Sequence, residues 1–184
     1  MKTWRVVTLY CILLGMSLMV ACTTPIPGPT VSATPTDVPA TPWTGAVVRL
    51  VTTAGQVTAG KTVVIEIDIE NVTQLYGTAL YLAFDPAQLE VVDADAELVG
   101  VQITHGDFLS VDGVVRNQVD NTAGTVTYVW TQAASMEPLS GGGTLVTLVV
   151  RGKAVGALDI AITELSLTDV GGNPIPVTIL QKEP

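Results

Sequence analysis

Cysteine is almost absent. Cys11 and Cys22 are the only two in 184 residues, and both precede residue 23. No disulfide can staple whatever folds after them, so stability has to come from a packed core. Cations are also scarce, with 8 Lys and Arg against 17 Asp and Glu. That balance excludes a nucleic-acid binder, because phosphate contacts need positive side chains. There is one histidine, His105, and aromatics make up only 5% of the chain. A Ser-His-Asp arrangement would have to use His105, which lies in the loop-like ITHGD and reads as a solvated loop residue. The paired-carboxylate chemistry of glycoside hydrolysis finds no distinctive site either. Glu66, Asp68 and Glu70 read as the wet side of a strand. Asp93, Asp95 and Glu97 alternate as calcium ligands do, but lack the glycine and terminal glutamate of an EF-hand loop, and read as a solvated turn. The sequence therefore predicts no enzyme, no cofactor and no metal.

The N-terminal segment reads as an address. Lys2 and Arg5 precede an uncharged apolar stretch from Val6 to Val20, followed by Ala21 and Cys22. A cationic start, an apolar middle and a small residue at the cut describe a secretory signal. The apolar part, about 15 residues, is short for a membrane span of roughly 20. The cysteine directly after Ala21 resembles a bacterial lipobox, with Met19 where leucine is usual. That resemblance implies cleavage before Cys22 and lipidation of its thiol, making residues 1–21 a lipoprotein signal peptide. Several acyl chains on one residue suffice for stable membrane attachment, each buried methylene adding about 0.8 kcal/mol. Residues 22–44 then form a tether. TTPIPGPTVSATPTDVPATPWTG holds six prolines, one charge and no hydrophobic period. Such a composition cannot bury enough surface to offset ordering, and an extended polyproline-like stretch would reach roughly 65 Å. Removing residues 1–21 takes away Lys2 and Arg5 and no acid, so the net charge moves from −9 to about −11. That charge serves solubility or a basic partner.

From residue 45 to 184 the pattern is strand after strand. In KTVVIEIDIE, Val63, Ile65, Ile67 and Ile69 share one parity, while Glu66, Asp68 and Glu70 share the other. Period two is the mark of a half-buried strand with one wet face. TALYLAF (78–84) places Leu80, Leu82 and Phe84 inward, and TVTYVWT (125–131) places Val126, Tyr128 and Trp130 inward. Further strands are read at 46–51, 89–92, 113–119, 144–150, 157–167 and 176–180, nine in all. Turn signals separate them at TAG 53–55, FDP 84–86, DNTAG 120–124, SGGG 140–143 and GGNP 171–174. In FDP, Asp85 is placed to accept backbone N–H bonds two residues on, Pro86 sets the turn, and Leu89 returns to the core. Gly77 marks a bulge or a close backbone approach. Gly171 and Gly172 are expected to supply positive φ in a hairpin. Nine short strands without a helical period predict an all-β sandwich or jelly roll.

The run GKTVVIEIDIENV followed by LAFDPAQLEVVDAD resembles the opening of the cohesin domain of cellulosomal scaffoldins. GDFL at 106–109, DNTAGTVTYVW at 120–130, GGGTLVTLVVRGKAVG at 141–156 and LTDVGGNPIPVTI at 167–179 follow in matching order. The resemblance spans about residues 46–180. It implies a nine-stranded jelly-roll β-sandwich whose flat sheet face binds the paired helices of a dockerin. On that resemblance the face is built from strands 78–84, 113–119, 125–131 and 157–167. Parity proposes Ala79, Tyr81, Ala83, Thr127, Val129 and Thr131 as partner-binding residues. Arg116 and Gln118 join them if GVVRNQV keeps register. Small and β-branched residues around one tyrosine make a level, partly apolar platform. Many dockerin-binding faces carry Asp or Asn where this chain has Ala79 and Ala83. The chain carries no dockerin-like repeat, so the partner is a separate secreted protein. Two alternatives are a carbohydrate-binding module that uses Tyr76 and Tyr81 to hold polysaccharide, and a structural surface domain. All three place the domain outside the cell, anchored to the membrane through Cys22.

Overall fold

A computed structural model describes residues 45–181. The expected signal peptide, the lipidation site Cys22 and the Pro/Thr-rich linker lie outside those residues. The described residues form twelve strands: β1 Ala46–Thr52, β2 Gln56–Val57, β3 Thr62–Leu75, β4 Gly77–Phe84, β5 Leu89–Val91, β6 Thr104–His105, β7 Val114–Asp120, β8 Thr125–Thr131, β9 Leu139–Gly152, β10 Gly156–Ala157, β11 Ile160–Thr168 and β12 Val177–Leu180. A 3₁₀ turn spans Val111–Gly113. The nine expected strands are all present. Three more, β2, β6 and β10, have two residues each, too short to show a period. The expected strand 157–167 divides, its first residue pairing in β10 and the rest beginning at Ile160.

Two sheets enclose one core. The larger runs β12-β1-β3-β9-β5, with β6 also on β9; the smaller runs β11-β4-β8-β7. Between strands all pairings are antiparallel except β1 with β12, and β2 and β10 pair apart from both sheets as a two-stranded ribbon. Alternation along each strand delivers side chains from both sheets into a common interior. Ile65, Ile67 and Ile69 come from β3, Leu80, Leu82 and Phe84 from β4, and Val126, Tyr128 and Trp130 from β8; all are buried. Packing of inner faces in this way is what makes a sandwich stable without cross-links.

One expected turn is not a turn. SGGG at 140–143 lies inside β9, which pairs with β3 as far as Leu75↔Leu139 through successive register shifts. The glycines permit this because the neighbouring chain lies close. A Cβ on Gly142 would stand 2.5 Å from the carbonyl oxygen of Ile69. On β3 the same irregularity puts Asn71 and Gln74 at positive φ. Loop length alone cannot distinguish such a bulged strand from a hairpin turn. In the GGNP hairpin only Gly172 has positive φ, at 77°; Gly171 does not. Asp169 explains why one suffices, since its carboxylate gathers the N–H groups of Gly171 and Asn173 and fixes the turn. The close approach expected at Gly77 is present, facing Thr168 Oγ1.

The FDP turn forms as read. The Asp85 carboxylate accepts from the Ala87 N–H at 2.8 Å and from the Gln88 side-chain amide at 2.8 Å, and Leu89 is fully buried. Asp120 likewise accepts from Thr122 and Ala123 in the β7–β8 turn. Hydrogen bonding to the charged form holds all three carboxyls below their ordinary value: Gln88 is the main cause for Asp85, Ala123 for Asp120 and Asn173 for Asp169. A carboxyl whose folded pKa is lowered contributes stability above its unfolded pKa and loses it as pH falls through the folded value. The urea midpoint should therefore stay level between about pH 7 and 5 and decline below about pH 4, where such carboxyls begin to protonate. A midpoint that rises on acidification would contradict this account of the turns.

Candidate functional site

The smaller sheet turns one face to the core and the other outward. Cross-strand register fixes the outward rows. One reads Ala161, Ala83, Thr125, Asp120 across β11, β4, β8 and β7. The next reads Glu164, Tyr81, Thr127, Gln118, and the third Ser166, Ala79, Val129, Arg116 across all four strands. Thr131 pairs with Gly77 at the end of the sheet. The six residues singled out by parity thus lie on one contiguous surface. Ala79, Tyr81, Ala83, Thr127 and Val129 are half-buried and Thr131 is exposed. Arg116 and Gln118 share the surface, the guanidinium donating to Gln118 Oε1 at 2.7 Å from Nη2 and 3.2 Å from Nε.

Four strands at about 4.8 Å spacing give a platform roughly 14 Å across, wide enough to seat an α-helix of about 10 Å diameter. Its middle is alanine, threonine, valine and one tyrosine. Its charges stand at the margins, Glu164 on β11 and Arg116 and Asp120 on β7. Such a surface can grip by shape and apolar burial at the centre, with ionic selection at the rim.

Sequence parity missed the β11 contribution for an identifiable reason. A bulge at Thr163 shifts the register, so Ile160 and Ile162 point inward before it and Leu165 and Leu167 face the core after it. The displaced hydrophobic spacing of ALDIAITELSL is the signal that could have found Glu164 and Ser166. A second missed feature is the guard on the outer edge of β11. The Gln181 side-chain amide accepts from Ile162 N–H at 2.9 Å and donates to its carbonyl at 3.3 Å, in the manner of a neighbouring strand. That occupies an edge otherwise open to pairing with another chain.

His105 is not a solvated loop residue. It sits half-buried in β6, with Nδ1 2.5 Å from the Tyr128 hydroxyl and Nε2 2.8 Å from the Leu109 carbonyl. A carbonyl only accepts, so Nε2 donates to Leu109, while Nδ1 pairs with the Tyr128 hydroxyl. Burial pushes the Tyr128 phenol up, keeping it a neutral donor. The pair ties β6, which belongs to the larger sheet, to the core side of the smaller one. With both ring nitrogens engaged, the imidazole is a brace between the two sheets. Asp93, Asp95 and Glu97 do form a turn. Asp93 Oδ1 accepts from Gln102 and Asp95 N–H groups, and Asp95 Oδ1 from Glu97 N–H. The aromatic platform needed to stack a sugar is not assembled from Tyr76 and Tyr81. Five residues of extended chain separate them by about 16 Å, at opposite parity.

The family model described as "Cohesin domain" matches residues 47–178. The chain belongs to the cohesin domain family. The cohesin fold agrees with solved structures of low sequence identity. A type II cohesin–X–dockerin complex from Acetivibrio cellulolyticus contains a chain superimposing with a TM-score of 0.62 at 15% identity, covering 74% of this chain and 95% of that one. Type II cohesin A11 from Bacteroides cellulosolvens gives 0.60 at 14% identity, covering 74% and 96%. A non-cellulosomal cohesin from the archaeon Archaeoglobus fulgidus gives 0.53 at 17% identity, covering 73% and 86%. A search of curated proteins returns no match. In this cohesin the stretches 78–84, 113–119, 125–131 and 157–167 fall in the four strands of the smaller sheet, apart from shifts at their ends.

Proposed function

We propose that this cohesin is a non-catalytic docking module that holds a secreted, dockerin-bearing protein on the outer face of its smaller sheet. The observation that carries the reading is that Ala79, Tyr81, Ala83, Thr127, Val129 and Thr131 share one outward face, small in the middle and charged only at its margins. Solved relatives that share the fold include cohesins complexed with dockerins, among them one with an X–dockerin and one with a Cel5 dockerin. A polysaccharide-degrading enzyme is the partner class this reading favours. The module works outside the cell, lipidated at Cys22 and carried clear of the membrane by residues 23–44.

Two experiments test the reading. The exported protein, immobilised, is challenged with dockerin-bearing secreted proteins and, in parallel, with insoluble glycans. Retention of a dockerin-bearing protein supports it; retention on glycan alone overturns it in favour of carbohydrate binding. For the anchor, Cys22→Ser should shift the protein from the membrane fraction to the medium or soluble fraction. A variant that stays in the membrane fraction would contradict lipidation.

A further inference from the structure

The outward face does not stop at β7. Beyond that strand the chain from Val101 to Ile103 runs alongside, with Val119 N–H donating to the Val101 carbonyl and the Asn117 side chain clasping both backbone groups of Ile103. Between this segment, the preceding loop and the 3₁₀ turn lies a groove of about 570 Å³. Leu98, Val99, Val111 and Val115 line it, and each is more than half exposed, Val99 completely. Four exposed aliphatics thus share one concavity. Clustered apolar exposure of this kind marks an interaction site rather than chance. The Gln102 side chain also lines the groove; it is buried, and its Oε1 accepts no hydrogen bond.

The groove joins the docking face through one residue. A bulge between Val114 and Arg116 leaves Val115 and Arg116 both exposed in succession, aiming the first into the groove while the second stands opposite Val129. Arg116 is the only Lys or Arg in the four strands of this sheet. Arg49 and Arg151 are committed to Glu70 and Glu90, whereas Arg116 bonds only the neutral Gln118. A cation without a carboxylate, on a chain of net charge −9, is the one point of this face that attracts an acid.

We infer that the docking interface continues over the β7 edge, and that the partner's helix carries an acidic residue against Arg116 and, three or four positions along the same helix face, a bulky apolar residue seated in the Leu98–Val99–Val111–Val115 groove. This inference rests on the docking reading and specifies the partner's chemistry. The spacing follows from helix geometry, since positions i and i+3 or i+4 project side by side.

The test uses a display library of dockerin modules selected on the exported protein, purified in detergent and immobilised through a C-terminal tag. Selected modules are then measured against Val99→Ser/Val115→Ser, Arg116→Glu and Tyr81→Arg, each checked for an unchanged melting temperature. The inference expects at least about tenfold weaker binding by the valine double variant and by Arg116→Glu. It also expects recovery on Arg116→Glu when the module's acidic residue is changed to lysine. Modules that fail on Tyr81→Arg yet hold full affinity for the groove and Arg116 variants overturn the extension and leave the docking reading standing. Binding indifferent to Tyr81→Arg, or no enrichment on the parent protein, overturns the docking reading and the continuous interface with it.

Discussion

Tyr81→Arg is expected to abolish capture of a dockerin-bearing partner while moving the melting temperature by no more than about two degrees. Tyr81 stands at the centre of the outward rows, between Glu164 on β11 and Thr127 on β8. Its side chain is half-buried among small neighbours, and its backbone pairing, including the bond its carbonyl accepts from Thr163, does not depend on the ring. Arginine keeps the strand and can reach Glu164, so the fold loses little. A helix laid on the platform meets a long charged side chain where it needs a flat aromatic one. Central tyrosines in protein interfaces commonly contribute 2 kcal/mol or more, so a loss of about 30-fold or greater is expected in a binding isotherm. Equal loss of binding and stability would mean that Tyr81 belongs to the core. Intact binding would mean that the partner sits elsewhere.

Trp130→Ala is expected to produce the largest fall in stability. The indole is buried beneath the opposite side of the same sheet, and its N–H donates to the Ser110 carbonyl at 2.7 Å. It also fills the space that Gly113 leaves open, since a Cβ there would stand 2.3 Å from Nε1. Truncation removes the apolar burial, opens a cavity and orphans the Ser110 carbonyl. Such changes cost about 3–5 kcal/mol, which for a domain of this size lowers the melting temperature by roughly 10–15 degrees. Chemical denaturation of the variant measures this directly; a loss below about 1 kcal/mol would show that the smaller sheet does not rest on Trp130. The pair of variants separates the two faces of one sheet, Tyr81 acting on binding and Trp130 on folding.

The two faces were legible because alternation has no ambiguity within a regular strand. Ile65, Ile67 and Ile69 against Glu66, Asp68 and Glu70 leave one solution, and Leu80, Leu82 and Phe84 fix the orientation of Tyr81 by the same rule. Where strands are irregular the rule loses its phase. The bulge at Val114–Arg116 hid the register of β7, the bulge at Thr163 hid Glu164, and the register shifts between β3 and β9 made SGGG read as a turn. Other features depend on contacts between distant segments and leave no local trace. His105 gains its meaning only when Tyr128 lies beside it, and Gln181 only when the edge of β11 does. FDP was readable because Asp85, Ala87 and Gln88 bond within one turn.

The most direct test of the account is a hydrogen-exchange footprint of the exported protein with and without a captured dockerin module. The account expects new protection along Gly77–Phe84 and Thr125–Thr131, spreading to Val114–Asp120, with the outward strands of the larger sheet unchanged. Protection confined to Thr62–Leu75 and Leu139–Gly152, with Gly77–Phe84 and Thr125–Thr131 exchanging as before, would contradict it.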